Sequence, residues 1–353
     1  MDLSVVRIRL ESAEDRLSPF AARSAQSRRK TEEERSPLRT EFQRDRDRIL
    51  HTKAFRRLKH KTQVFVSPLG DHFVTRLTHT LEVSQVARTI TRALNLNEDL
   101  AEAAALGHDI GHGPFGHAGE EALAECLPDG FRHNYHSVRV LDRLENSGEG
   151  LNLTAEVLDA IAKSSKVIED IFAEGWGVPD TLEGEVVKVA DAIAYLNHDI
   201  DDAIRAGLLS EDSLPASTRR MLGRSHGERL NSLISDIVAA SWDATGEDTD
   251  SGTGPSIRFS PEVGDAANEL RRFMFDNVYM FDSTRSEAER GKRVIKFLFE
   301  YFVDNPARIS TEFSLLGDPV ERRAADYISG MTDRFAIRLA QELGNEDARA
   351  WGD

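Results

Sequence analysis

The feature that most constrains this chain is a helical period with histidine set into it. In RLTHTLEVSQVARTITRALNLNEDL, residues 76–100, His79, Val83, Val86 and Ile90 step by four, three and four. That is the spacing of one helix face, so His79 points inward with the aliphatic residues. The next segment, NEDLAEAAALGHDIG, predicts a second helix with Ala101, Ala104, Ala105 and His108 on one face, where small side chains admit a close neighbour. The same period recurs in FRHNYHSVRVLDRLE, LTAEVLDAIAKSSK and LEGEVVKVADAIAYLNHDIDDAIRAG, and again after residue 265 in DAANELRRFMFDNVYMF, GKRVIKFLFEYFV and DRFAIRLAQEL. Few runs alternate with period two, so the expected fold class is all-α.

Residues 1–40 are polar and arginine-rich without a sustained apolar period, and read as a mobile basic arm. A helical core is expected over 41–240, a polar loop or linker over the Asp-, Ser- and Gly-rich 241–265, and a further helical region over 266–353. The 353 residues include one cysteine, Cys126, which rules out an internal disulfide framework and fits a reducing, cytoplasmic setting. No stretch approaches the roughly 18 uninterrupted apolar residues of a membrane span. A net charge of −16 argues against broad nucleic-acid binding. Residues 1–61 nevertheless hold 17 Lys and Arg against 10 Asp and Glu, so an anion would dock there. Within them, FQRDRDRILHTKAFRRLKHKTQVF places Phe42, Ile49, Phe55 and Leu58 among basic residues, an amphipathic pattern with a cationic face.

The helical pattern breaks at LGHDIGHGPFGHAGEEAL, residues 106–123, where three glycines and Pro114 separate His108 and Asp109 from His117 and Glu120. Chain reversal there brings His112 and His117 back over the His-Asp pair. An ionised aspartate on an inward helix face costs several kcal/mol unless it is paired or bound to metal, which sets Asp191 apart. His79, His108, Asp109 and Asp191 together form a mixed N/O donor set suited to Mn, Fe, Ni, Co or Zn, or to Mg where phosphate oxygens complete the shell. Asp191, Tyr195 and Asp199 are spaced i, i+4, i+8 along one helix face, spanning about 12 Å, a reach suited to a nucleotide.

The order His79, then His108-Asp109, then Asp191 resembles the HD-domain metal-dependent phosphohydrolases. Four ordered blocks over residues 36–210 resemble their deoxyguanosine triphosphate triphosphohydrolase-like branch. The resemblance implies an HD-domain helical core and an additional C-terminal helical region. It implies a divalent metal ion on His79, His108, Asp109 and Asp191, catalytic roles for His112, Glu120 and His133, triphosphate contacts from Arg76 and His117, and deoxyribose contacts from Tyr195 and Asp199. His136 competes with His133 for the third catalytic place, and register favours His133. The implied reaction is hydrolysis of a deoxynucleoside triphosphate (dNTP) to the deoxynucleoside and inorganic triphosphate, with a metal-activated water attacking the α-phosphorus. A homo-oligomer, with a hexamer as one form, and activation by a second dNTP also follow from the resemblance.

Two other readings differ in product. Another HD phosphohydrolase, a nucleoside monophosphatase or phosphodiesterase, shares the metal quartet but releases no triphosphate. A non-catalytic protein sensing nucleotides or binding single strands through the basic segment yields no product, and has no need of four metal ligands.

Overall fold

The computed structural model describes residues 2–63, 74–165, 177–247 and 254–351. Among them are sixteen α-helices and no β-strand, with two isolated bridges, Arg29 to Thr154 and Thr62 to Thr75. The fold class is all-α. No helix among the described residues is long and apolar enough to cross a membrane.

The chain packs as two compact units that interleave in sequence. Residues 1–50, 79–108 and 152–277 form the first, and residues 51–78, 109–151 and 278–353 the second. This grouping differs from the contiguous division into a core over 41–240 and a C-terminal region over 266–353. The physical reason is the Asp282–Asp304 helix, which packs on the Gly116–Cys126 helix inside one unit.

In the first unit the alanine-rich Glu98–Gly107 helix is central. It packs on the helices Glu41–Leu50, Ala155–Ala162 and Leu182–Arg205, and Ala101, Ala103, Ala104 and Ala105 are fully buried. Their small side chains let the neighbouring helices approach closely. Asn97 starts this helix by accepting hydrogen bonds from the backbone of Asp99 and Leu100. The expected stripe on the Arg76–Ala93 helix is inward-facing throughout, with His79, Val83, Val86 and Ile90 each 1% exposed or less.

The arm expected to be mobile is instead built into this unit. Ser4–Ala13 is helical. Arg29 donates to Glu41 and Asp45, both at 2.6 Å, and Asp45 also accepts from the backbone and hydroxyl of Thr154. A buried guanidinium needs such partners, and Glu41 and Asp45 supply them one turn apart on one helix. Nor is the arginine face of that helix free for an anion. Arg44 contacts Glu41 and Glu33, Arg46 contacts Glu102, and Arg48 contacts Glu33. Of the expected linker, residues 248–253 lie outside the described residues; Ile257 and Phe259 are buried, and a helix begins at Pro261.

The second unit is built around the Asp282–Asp304 helix, which packs on Gly116–Cys126, Val320–Ser329 and Asp333–Glu342. Its core joins Leu123, Leu127 and Phe131 to Val294, Leu298, Phe302, Ile328 and Ile337. Phe115 enters this core from a left-handed backbone conformation, φ 64°, directly before Gly116 at φ 56°. That pair of residues turns the chain between the His-Asp pair and the next helix.

Candidate active site

Each unit holds a cluster of histidines and carboxylates, and the two are linked in the chain by the His108–Asp109 peptide bond.

In the first unit, His79, His108 and Asp191 come together from three helix segments. His79 Nε2 lies 3.1 Å from Asp191 Oδ1, and His108 Nε2 lies 3.9 Å from the same oxygen. His79 and His108 are buried, while the Asp191 side chain is 20% exposed. His108 Nδ1 sits 2.6 Å from the Ala105 carbonyl oxygen. A carbonyl only accepts, so the neutral ring is protonated on Nδ1 and directs the Nε2 lone pair toward a carboxylate. Two acceptors facing each other in a buried setting suit a cation between them. Two imidazoles and a carboxylate form a donor set for a divalent transition metal, and Asp109, next in the chain after His108, offers a second carboxylate. The donor set therefore fits a metal ion. Tyr195 is half-buried on the same helix as Asp191, its ring 6.0 Å from that of His198. Asp199 is 1% exposed, with Oδ1 2.8 Å from His198 Nδ1.

In the second unit, Asp109 lies between Arg76 and His112. Arg76 Nη1 donates to Asp109 Oδ2 at 2.8 Å, and His112 Nε2 lies 3.3 Å from Oδ1. Arg76, expected at a triphosphate, is 2% exposed and rests on this carboxylate. His112 is 2% exposed and stacks on His133 with ring centroids 3.7 Å apart. Glu120 accepts from the His133 backbone at 2.8 Å and lies 2.9 Å from His133 Nδ1 and 3.3 Å from His117 Nδ1. His117 points outward, its side chain 68% exposed.

The electrostatics follow from this packing. Burial, reinforced by the charges of Arg76 and His133, holds His112 well below the ordinary histidine range, so it is neutral at pH 7. Burial alone would raise Glu120, but His133, His117 and His112 override it and keep the carboxylate ionised, far below its usual range. The arrangement is a neutral, buried imidazole beside an imidazole held by a carboxylate, a constellation suited to proton transfer.

Local geometry builds the turn that carries these groups. A Cβ on Gly111 would lie 2.2 Å from Ser137 N and 2.3 Å from His133 O, so only glycine lets the turn approach the His133–Arg139 helix this closely. Gly111 N donates to the Ser137 hydroxyl at 2.8 Å. His136 belongs to a different network: it is buried, with Nε2 2.5 Å from the Ser329 hydroxyl and Nδ1 3.7 Å from Asp326. His133 is thus the histidine held by Glu120, while His136 bonds to the Ser329 hydroxyl.

Three residues at this centre were not singled out from sequence. Lys61 is fully buried, donating to the carbonyls of His112 and Ser329. Asp333 accepts from Thr62 and from the backbone of Phe115, securing the turn. His198 lies against His79. Lys61 was read only as part of the basic amphipathic segment, and the partners of the other two are distant in sequence.

A model described as HD domain matches residues 76–196, and one described as phosphohydrolase-associated domain matches residues 257–342. The fold and the His/Asp clusters thus fall in the class of HD-domain phosphohydrolases. Proteins named deoxyguanosinetriphosphate triphosphohydrolase-like protein resemble the chain over nearly its whole length. The one from Caldanaerobacter subterraneus subsp. tengcongensis is 51% identical over 93% of this chain and 92% of its own. Those from Desulfatibacillum aliphaticivorans and Clostridium tetani are 48% and 45% identical, over 96% and 97% of this chain and 97% of each relative. The chain belongs to the deoxyguanosinetriphosphate triphosphohydrolase-like family of HD-domain hydrolases.

Proposed function

We propose that the chain hydrolyses deoxynucleoside triphosphates, dGTP among them, to the deoxynucleoside and inorganic triphosphate. The observation that carries this reading is buried His112 stacked on His133, with His133 held by Glu120. The names of the relatives point to the same substrate class.

In this reading His79, His108, Asp109 and Asp191 hold one divalent ion. When bound, such an ion polarises a phosphoryl oxygen and lowers the pKa of water at the site. Water attacks the α-phosphorus, a new P–O bond forms, and the bond to the 5′-oxygen breaks. His112 delivers the proton to that oxygen. It is neutral in the free protein, and an arriving triphosphate places negative charge beside it, which raises its affinity for a proton. Glu120 fixes the His133 ring against His112 and stabilises positive charge on the stacked pair. The Arg76 fork, with one arm on Asp109, and the outward His117 supply hydrogen-bond donors to the triphosphate, and Tyr195 packs on the sugar.

The test is to incubate Mn2+-loaded protein with each dNTP, singly and in mixtures, and separate the products. Inorganic triphosphate with the deoxynucleoside is the expected pair. Release of orthophosphate or pyrophosphate, or no product from any dNTP, overturns the reading.

A further inference from the structure

Three imidazoles turn a nitrogen toward one carboxylate oxygen. Glu120 Oε2 lies 2.9 Å from His133 Nδ1, 3.3 Å from His117 Nδ1 and 4.0 Å from His112 Nδ1. The other oxygen, Oε1, accepts the His133 backbone N–H at 2.8 Å, which fixes the carboxylate in this orientation. His117 and Glu120 stand three residues apart on the Gly116–Cys126 helix and share a face, and His133 opens the His133–Arg139 helix. All four residues belong to the second unit.

We propose that His117, Glu120 and His133 form a second divalent-metal site, filled by Zn2+ in preference to Mg2+ or Mn2+, and that an ion there shuts down the proton-transfer group. The inhibitory role rests on the functional reading above; the site itself does not. One nitrogen of each ring and one oxygen of Glu120 lie within 4.8 Å of one another. Ligand atoms about 2.0–2.2 Å from a tetrahedral zinc ion stand about 3.3–3.5 Å apart. His117 Nδ1 already has that spacing from Oε2, and His133 Nδ1 is slightly closer. The two ring planes cross at 65°, so both rings can direct their in-plane lone pairs at one point. His112, stacked on His133, cannot join them as a ligand. Its Nδ1 is buried without a hydrogen-bond partner, and a water in the ion's open fourth position gives that nitrogen the partner it lacks.

Without the ion, ring protons bridge nitrogen and carboxylate. Zn2+ takes the place of these bridging protons, and each ring keeps its remaining proton on Nε2. Two imidazoles and a carboxylate favour zinc over magnesium, which prefers an all-oxygen shell, and over manganese, at the weak end of the divalent series. The exposed His117 side chain gives the ion its entry. Once held, the ion occupies Glu120 and His133, the carboxylate and the ring that the proposed reaction needs.

The test uses the full chain, stripped by chelator and dialysed against Zn2+ alone, with bound metal counted per chain. The parent is expected to hold two ions, and His79→Ala, which removes the first centre, one. His117→Ala and Glu120→Gln are each expected to lose the second ion while binding Mn2+ at the first centre as the parent does. His117 is exposed, so His117→Ala is expected to melt like the parent when metal-free, and Glu120→Gln probes the same site through a different ligand. Rising Zn2+ added to Mn2+-loaded protein is expected to stop dGTP hydrolysis by the parent. His117→Ala, whatever its own rate, is expected to keep a larger fraction of it at the same Zn2+ concentration. A single Zn2+ in the parent, lost in His79→Ala, means that the second site does not exist and the first centre stands. Two ions retained in both His117→Ala and Glu120→Gln place the second ion elsewhere and overturn the proposal. Equal fractional inhibition of parent and His117→Ala means that zinc displaces Mn2+ from the first centre, which overturns the inhibitory role. If the parent hydrolyses no dNTP, the functional reading and the inhibitory role fall together, and the ion count still decides the site.

Discussion

The imidazole of His133 lies flat on that of His112, with an interplanar angle of 15° and 3.7 Å between centroids. Two stacked imidazoles cannot both carry charge cheaply, and Glu120 sets a carboxylate against the pair. Glu120→Gln keeps the shape and removes the charge. Its kcat is expected to fall toward the loss of about 10²- to 10⁴-fold typical of removed acid–base groups, with little change in metal affinity. His112→Ala is expected to lose as much, also with metal retained. Parental turnover in either variant, measured with Mn2+ and dGTP, would remove proton transfer through this group.

Gly111 allows the turn bearing His112 to touch the His133–Arg139 helix, and the atoms a Cβ would strike are backbone atoms on a packed helix. Gly111→Ala is therefore expected to destabilise the protein by about 2–4 kcal/mol, in the range of severe steric substitutions, and to lose activity by separating His112 from His133. Gly130→Ala supplies the contrast. Its φ is +71° but nothing lies within 4 Å of the added Cβ, so the expected cost is about 1–2 kcal/mol of backbone strain with turnover intact. Equal effects of the two substitutions on denaturant midpoint and kcat would mean that close approach at Gly111 is unimportant.

What was legible in sequence was whatever repeats locally. His79 was placed correctly because its apolar neighbours lie three and four residues away on one helix, and Asp191 stood out as a charge on the inward stripe of another. The break at Gly111 to Gly116 was visible in composition, but the left-handed Phe115 was not, because its cost is offset by distant packing against Gly291 and Trp351. The same distance hid Asp333 and Ser329, which meet Thr62 and His136 across some 190 residues or more of chain. Arg29 was misread for a related reason. Arginine-rich, weakly apolar sequence looks solvated until its carboxylate partners at Glu41 and Asp45 are known.

His136 offers a stability measurement independent of catalysis. Burial first, then the positive charges of Arg322, Arg139 and Lys61, hold it well below the ordinary histidine pKa. In the unfolded chain it protonates near pH 6.5. Below that pH the unfolded state binds a proton that the folded state does not, so this group makes the protein lose stability as pH falls, at up to about 1.4 kcal/mol per pH unit. His136→Gln keeps a polar partner for Ser329 and removes the titration. Urea unfolding at pH 7, 6 and 5 should show a shallower decline in the variant by about that slope, since all other groups are common to both proteins. Parallel curves would mean His136 is protonated in the folded state.

Lys61 reverses the usual direction of a lysine. Burial, aided by Arg76, pushes its ammonium down to about 7, against about 10.4 in an unfolded chain. Between those values the unfolded state holds a proton that the folded state lacks. Stability contributed through Lys61 therefore rises as pH increases from 7 toward 10, by up to about 1.4 kcal/mol per unit, and is flat below pH 7. The neutral amine retains two N–H donors, enough for the carbonyls of His112 and Ser329. Lys61→Met fills the space without donors. It is expected to cost about 1–3 kcal/mol for each carbonyl left unsatisfied, and to abolish the rise between pH 7 and 9.5. Because one of those carbonyls belongs to His112, kcat is expected to fall as well. A Met variant whose stability still climbed with pH as the parent's does would show that the buried amine is not the group responsible.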